Sequence, residues 1–182
     1  MKIFGIDPGS ERTGYGCVET DGSRHRLITS GAIRTPATAS FPEKLLTIHL
    51  GLAALIGECQ PDCCAIENIF YASNARSALK LGHARGVAML AAIEAGLPVF
   101  EYTPAEVKRA VVGYGRAEKH QVQQMVKLIL GLATLPTPHD ASDALAIAIC
   151  HGNSLPPAGV ELPKASTSRA ATDWRHYRPA RT

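Results

Sequence analysis

The chain has 182 residues, of which 46% are hydrophobic and 19% are charged, proportions typical of one globular domain with a sizeable core. Its formal charge is +3, but residues 155–182 hold five Lys or Arg against two acids, so the remainder is neutral. Net charge therefore cannot indicate a nucleic-acid partner, and any such inference must rest on where basic side chains cluster.

The N-terminus and the cysteines predict a cytoplasmic protein. The first apolar run is broken by Asp7, so it is too short for a signal peptide or a membrane span. Five cysteines without a disulfide spacing indicate small buried residues in a reducing compartment. A zinc site formed by Cys59, Cys63 and a histidine is disfavoured because the chain has no CxxC pair.

The first third of the chain predicts three strands in hairpin connection, followed by a helix. The strands are expected at residues 2–7, from Thr13 towards the Asp21-Gly22 turn, and near residues 27–33. A capping box at Ser40 to Glu43 starts the helix, and Pro61 ends it. The apolar stripe of this helix is expected to comprise Leu45, Leu46, Ile48, Leu52, Leu55 and Ile56.

Strands and helices alternate in the remainder. Strands are expected at residues 63–67 and 97–102, and helices at about 74–94, 104–112, 117–130 and 141–149. This order predicts an α/β fold with a mixed five-stranded sheet flanked by helices. We expect residues 1–153 to form the domain and residues 154–182 to be a disordered basic C-terminal tail, because periodic apolar positions stop there.

Four carboxylates occur where buried apolar chain meets an exposed end. Asp7 and Glu67 end predicted strands, and Asp140 and Asp143, at i and i+3, share one face of the last helix. Burying carboxylates together is costly unless they are paired or bind a metal. Oxygen ligands select hard cations such as Mg²⁺ or Mn²⁺, and two such ions about 4 Å apart suit phosphodiester hydrolysis.

Some of these acids also have structural explanations. Asp140 follows Pro138 at a helix start, where an acid stabilises the helix dipole. Asp7 precedes Pro8-Gly9 and could form an Asx-turn. A helix cap explains Asp143 less easily, since it lies one turn further in among apolar residues.

The predicted helix after Glu67 has two unusual features. Residues 71–93 contain no acid, and Arg76, Lys80 and His83 share one face of the helix. This face could bind DNA phosphates, or it could be an ordinary solvated helix face. Ala78, Gly82 and Gly86 recur at four-residue steps, although an interior glycine costs a helix about 1 kcal/mol. Close packing of a partner helix in a two-fold dimer would explain them, and so would packing on the protein's own sheet.

Five short motifs occur in order along residues 3–151. They are Gly-Ile-Asp-Pro-Gly-Ser at 5–10, Thr-Gly-Tyr-Gly at 13–16, Ala-Ile-Glu at 65–67, Ser-Ala-Leu-Lys-Leu-Gly at 77–82 and Asp-Ala-Leu-Ala-Ile-Ala at 143–148. With these motifs the chain resembles the RuvC family of Holliday junction resolvases. The resemblance implies a ribonuclease H-like fold, a homodimer, Mg²⁺-dependent symmetric nicking of four-way DNA junctions, and contacts with the branch-migration proteins RuvA and RuvB.

The resemblance also implies roles for individual residues. Asp7, Glu67, Asp140 and Asp143 match the family's catalytic, metal-binding acids; some relatives carry histidine at position 140, which implies ligand orientation more than charge there. Lys119 matches a basic position near the scissile phosphate, where a cation offsets transition-state charge. The residues expected to bind DNA are Phe70, Tyr71, Arg76, Lys80, Lys108 and Lys119.

Different observations support the expected DNA contacts of Phe70, Tyr71 and Lys108. Phe70 matches a family aromatic near the junction centre, and Tyr71 shares its expected exposed tip, where aromatics stack on unpaired bases. Phe70 could instead cover the end of the strand. Lys108 matches a second basic position near the phosphate, but it could equally belong to a solvated helix face.

Three other functional classes compete with junction resolution. The acids alone equally suit a ribonuclease H-like nuclease that acts on RNA or single strands. Actin-like proteins and sugar kinases also open with an Asp before Gly, but their two lobes need more than 182 residues. A noncatalytic junction-binding protein would be expected to have lost some of the four acids.

Overall fold

The computed structural model describes residues 1–68 and 74–155. Its strands are β1 (Lys2–Asp7), β2 (Arg12–Thr20), β3 (His25–Arg34), β4 (Cys63–Glu67) and β5 (Val99–Tyr102). Its helices are α1 (Phe41–Cys59), α2 (Ala75–Glu94), α3 (Pro104–Val112), α4 (Lys119–Ile129) and α5 (His139–Ser154). Most of the predicted disordered tail, from residue 156 onward, lies outside the described residues.

The strands form one mixed sheet in the order β3-β2-β1-β4-β5. β1 and β2 are antiparallel, as are β2 and β3, whereas β4 is parallel to both β1 and β5. The α/β fold predicted from the sequence is confirmed. Because β1 and β4 are parallel neighbours, with Ile6 opposite Ile66, the acids that end these strands lie at the same edge of the sheet.

Helices cover both faces of the sheet. Ile3 and Cys63 point to the face that packs on α3, α4 and α5, and Phe4 and Cys64 point to the face covered by α1 and α2. Adjacent residues of a strand face opposite sides, and all four of these side chains are fully buried. Each central strand is thus apolar on both faces, and its polar residues are confined to its ends.

α5 approaches the sheet unusually closely because glycines face it. A Cβ atom on Gly5 would lie 2.1 Å from the Ala144 carbonyl oxygen, and one on Gly14 would lie 2.0 Å from the Asp140 carbonyl oxygen. Neither strand could carry a larger residue there without displacing the helix. This approach brings the first turn of α5 against the ends of β1 and β2.

The turn after Asp7 is anchored from two directions. The Lys44 ammonium on α1, only 10% exposed, contacts both carboxylate oxygens of Glu11 at 2.7 and 2.8 Å. The Thr35 hydroxyl donates to the Ser10 carbonyl oxygen at 3.0 Å. Residues 8–11 are therefore fixed relative to α1 and to the end of β3.

Two details differ clearly from the sequence prediction, besides β5, which begins at Val99 rather than at residue 97. α5 runs from His139 to Ser154, whereas a helix over 141–149 was expected, because residues 150–152 are still buried and the Asn153 amide donates to the Ala110 carbonyl oxygen at 3.1 Å. Leu46 was assigned to the buried stripe of α1, but it is 56% exposed. Over the described residues, no helix has both the length and the apolar character that a bilayer crossing requires.

Candidate active site

Acids and lysines meet in a cavity of about 290 Å³ at the carboxyl ends of β1 and β4. The charged residues that line it are Asp7, Glu67, Asp143, Lys108 and Lys119. Its apolar wall consists of Pro104, Val107, Val122, Ala146 and Ile147. The structure therefore brings three of the four predicted acids together with both predicted active-site lysines.

Asp7 occupies the least favourable position for a negative charge. Burial is the main cause that raises its pKa, to about 8, and the charges of Asp143, Glu67 and Asp140 raise it further against the opposing effect of Lys119. Without a bound cation, most Asp7 side chains therefore carry a proton at neutral pH. A cation in the cavity would reverse this preference, because it favours the carboxylate.

Glu67 shares this environment. Burial raises its pKa first, the charge of Asp143 adds to the rise, and Lys119 and Lys108 lower it. Its backbone is held in the sheet by pairing with Tyr102 of β5. The carboxylate of Glu67 is thus fixed close to charges of both signs.

Lys119, the first residue of α4, forms an ion pair with Asp143 in which Nζ lies 2.6 Å from Oδ2. Burial alone would lower the pKa of Lys119, but the hydrogen bond that Lys119 donates to Asp143 and the charges of Asp143, Asp7 and Asp140 outweigh it and raise that pKa. Lys119 is therefore a cation throughout the physiological pH range. It partly neutralises the acids that surround it.

Asp140 does not line the cavity. It lies beside Arg12 of β2, with Nη1 3.6 Å from Oδ2, and its charge still reaches Asp7. Sequence reasoning missed Arg12. Arg12 belongs to neither of the motifs at residues 5–10 and 13–16. Its position between these two motifs was the only sequence feature that could have pointed to it.

The donor set suits a hard divalent cation, although the side chains are not arranged around one. Within residues 1–68 and 74–155, no three His, Cys, Asp or Glu side chains are placed to hold a metal ion. Two of the four acids, Asp140 and Asp143, are paired with cationic side chains. Oxygen-only donors and the raised pKa of Asp7 both fit a site that gains stability from a bound cation.

The remaining predicted residues lie elsewhere. Arg76 and Lys80 are exposed on α2 and do not line the cavity, and the Lys80 ammonium lies 5.9 Å from the centre of the Phe41 ring. Phe70 and Tyr71 fall outside the described residues. The structure therefore associates Lys108 and Lys119, but neither Arg76 nor Lys80, with the carboxylates.

The metal-free protein should become less stable as pH rises from about 4 to about 8. A raised pKa means that the folded state holds a proton that the unfolded state has released, so stability falls with pH between the ordinary pKa of 3.8 and about 8. Asp7→Asn removes this titration. Its gain in stability over the parent should grow across that window, by no more than about 1.4 kcal/mol per pH unit.

Thermal unfolding in EDTA at pH 5 and pH 8 would test this. The variant should exceed the parent by several degrees more at pH 8, at about 2–4 °C per kcal/mol. An equal difference at both pH values would show that Asp7 does not titrate as inferred.

Comparison with known proteins points to the same family as the five sequence motifs, and the matches extend over nearly the whole chain. A family model described as Crossover junction endodeoxyribonuclease RuvC matches residues 3–151. The crossover junction endodeoxyribonuclease RuvC of Trichlorobacter lovleyi is 52% identical over 179 residues, covering 98% of this chain and 100% of the relative. That of Chloroflexus aggregans is 54% identical over 156 residues, covering 86% of this chain and 95% of the relative.

Solved structures agree with the sequence matches. Thermus thermophilus RuvC superimposes with a TM-score of 0.77 at 36% identity, over 84% of this chain and 94% of that chain. The same protein in complex with Holliday junction substrate gives a TM-score of 0.77 at 34% identity over the same shares. The yeast mitochondrial Holliday junction resolvase Ydc2, at 16% identity and a TM-score of 0.60, shares the fold over 83% of this chain and 77% of its own.

These matches confirm the ribonuclease H-like fold that the resemblance implied. The family model includes all the residues that line the acidic cavity, and the T. lovleyi relative covers all but a few residues of the chain. The chain therefore belongs to the RuvC family of crossover junction endodeoxyribonucleases.

Proposed function

We propose that this protein is a hydrolase that resolves four-way (Holliday) DNA junctions during recombination and repair by cutting phosphodiester bonds at symmetric positions. The observation that carries the proposal is the cavity in which Asp7, Glu67 and Asp143 lie with Lys108 and Lys119. Membership of the RuvC family supports the reaction. The complex of T. thermophilus RuvC with Holliday junction substrate supports the choice of DNA.

We further propose that Asp7, Glu67, Asp140 and Asp143 hold divalent cations, Mg²⁺ or in its place Mn²⁺, with two ions in each site. When bound, such ions would activate the attacking water and stabilise the leaving oxygen. Asp7 must lose its proton for this, so cation binding should strengthen as pH rises towards 8. To bind a cation, Asp140 would have to break its ion pair with Arg12, and Asp143 would have to bind the cation while it also contacts Lys119.

The two lysines have separate tasks in this account. Lys119 keeps its proton on Nζ and supplies a fixed positive charge next to the reacting phosphate, where negative charge builds up in the transition state. Lys108 faces the same cavity from α3 and would hold the DNA backbone. Arg76 and Lys80 would contact phosphates further along the DNA, and the roles of Phe70 and Tyr71 at the junction centre rest on the resemblance alone.

A homodimer is proposed from the outer surface of α2. The glycines on this surface, Gly82 and Gly86, do not pack on the protein's own sheet, since a Cβ on either would meet no atom within 4 Å. They line an open apolar groove, and Leu79, Leu90 and Ile93 beside them are 64%, 50% and 60% exposed. A second copy of the chain would cover this surface and place two active sites on a two-fold symmetric junction.

Gly82→Leu should disrupt that dimer without unfolding the protein. The new side chain has free space in the single subunit but would block close approach of a second α2. We expect the dissociation constant of the dimer to rise about 10- to 100-fold, equivalent to about 1–3 kcal/mol of overpacking.

Sedimentation velocity over a concentration series would measure this effect. Gly57→Leu is the matched control, because Gly57 is also helical and open but lies on α1 outside the groove. A monomeric parent, or an equal effect of both substitutions, would contradict this interface.

Three further assignments are proposed from the sequence and the resemblance. They are a nuclease domain over residues 1–153 with a basic C-terminal tail over residues 154–182, cooperation with RuvA and RuvB, and a cytoplasmic location.

Substrate choice can be tested with purified protein. Single-turnover cleavage would be compared on a synthetic four-way junction and on a linear duplex of matched sequence, in Mg²⁺ and in EDTA. Selective cutting of the junction in Mg²⁺ is the expected result. Equal cutting of duplex, single strands or RNA would indicate a general nuclease, and binding without cutting would indicate a noncatalytic junction-binding protein.

A further inference from the structure

Arg85 connects the two strands that meet beside Glu67. It lies on α2 with its side chain only 22% exposed. Its Nε donates a hydrogen bond to the backbone carbonyl oxygen of Glu67 at 3.2 Å, and its Nη2 contacts the carboxylate of Glu101 on β5. One guanidinium group thus holds the last residue of β4 and a residue of the neighbouring strand at once.

Glu67 needs such support because the sheet holds it on one side only. Its pairing with Tyr102 of β5 is followed by a hydrogen bond from the Asn68 amide to the Tyr102 carbonyl oxygen at 2.7 Å. On the other side, pairing with β1 ends one residue earlier, at Ile6 and Ile66. The hydrogen bond from Arg85 to the Glu67 carbonyl oxygen is therefore a second restraint on the peptide that follows Glu67, beside its pairing with Tyr102.

We propose that Arg85 is a positioning residue that fixes Glu67 for cation binding and cleavage through its backbone, with Glu101 holding the guanidinium in place. This inference rests on the proposed role of Glu67 in the active site. The planar guanidinium can direct separate N–H groups at the carbonyl and at the carboxylate, which the single ammonium of lysine cannot reproduce with the same geometry. Loss of a group that orients a metal ligand typically lowers affinity or activity about 10- to 100-fold.

Arg85→Lys is the principal test. We expect the single-turnover rate on the junction to fall about 10- to 100-fold at saturating Mg²⁺. The Mn²⁺ concentration that gives half of the metal-induced rise in unfolding temperature, without DNA, should increase about tenfold. Junction affinity in EDTA should stay within about twofold. Arg26→Lys is the matched control, since Arg26 forms an ion pair with Glu19 at the opposite end of the sheet, at 2.6 Å.

A charge exchange separates positioning from simple stabilisation. In the double variant Arg85→Glu with Glu101→Arg, an ion pair between α2 and β5 can form again, but residue 85 has no donor for the Glu67 carbonyl. We expect the exchange to restore the unfolding temperature that Arg85→Glu alone loses, and to leave cleavage slow. Cleavage restored together with stability would overturn the proposal, and so would parental cleavage by Arg85→Lys.

Glu67→Gln distinguishes the failure of this inference from failure of the proposed function. If Glu67→Gln abolishes cleavage and Arg85→Lys does not, only the role of Arg85 is wrong. If Glu67→Gln itself cuts at the parental rate, the proposed role of Glu67 is wrong and the inference falls with it.

Discussion

Asp7→Asn is expected to lower the rate of junction cleavage by about a thousandfold or more without weakening junction binding in EDTA. Asp7 lies deepest among the acids of the cavity, at the end of a central strand, where its charge is unfavourable until a cation compensates it. Asparagine has the same shape but lacks the charge that would attract the ion. Loss of metal-ion catalysis worth several kcal/mol corresponds to at least three orders of magnitude in rate.

The experiment requires single-turnover cleavage and a binding assay on the same junction. Glu58→Gln, an amide substitution of an exposed acid on α1, is the control and should cut like the parent. The Asp7→Asn variant should also unfold at a higher temperature than the parent in EDTA at pH 8, which would exclude misfolding as the cause of its inactivity. Cleavage within tenfold of the parental rate would remove Asp7 from the active site.

Gly14→Ala should destabilise the protein by about 2–3 kcal/mol or more and also slow cleavage. The added Cβ would lie 2.0 Å from the Asp140 carbonyl oxygen and 2.5 Å from its carbon, which are backbone atoms that cannot rotate away. Forced overpacking typically costs about 1–3 kcal/mol, and a rigid backbone neighbour places this substitution at the upper end. The start of α5, which carries Asp140 and, one turn later, Asp143, would have to move outward.

Urea denaturation with and without the substitution would measure the loss. Gly57→Ala provides the opposite control, because a Cβ there meets nothing within 4 Å and alanine favours the helix by about 1 kcal/mol. A Gly14→Ala variant as stable as the parent would show that α5 does not approach β2 as closely as the structure has it.

Much of the site could be predicted because its acids interrupt strong apolar patterns. Asp7 and Glu67 each end a run that has to be buried, and residues 143 and 140 have helical spacing. The position of β4 beside β1 does not follow from these patterns, but the hairpin connections predict that β1, β2 and β3 are neighbours. These features depend on short stretches of sequence, which local patterns describe well.

Contacts between distant segments could not be predicted in the same way. Arg12 pairs with Asp140, and Arg85 reaches the backbone of Glu67, only because separate elements pack together. The glycines show the same limit. Gly14 and Gly82 look alike in sequence, but the first lies against α5 and the second faces open space.

The most direct test of the central claim is to map the cuts on a four-way junction, with each strand labelled in turn, in Mg²⁺ and in EDTA. We predict one nick in each of two equivalent strands, at symmetric positions, only with Mg²⁺, and products that a ligase can seal. Unpaired or scattered cuts, or cuts that persist in EDTA, would contradict a metal-dependent junction resolvase.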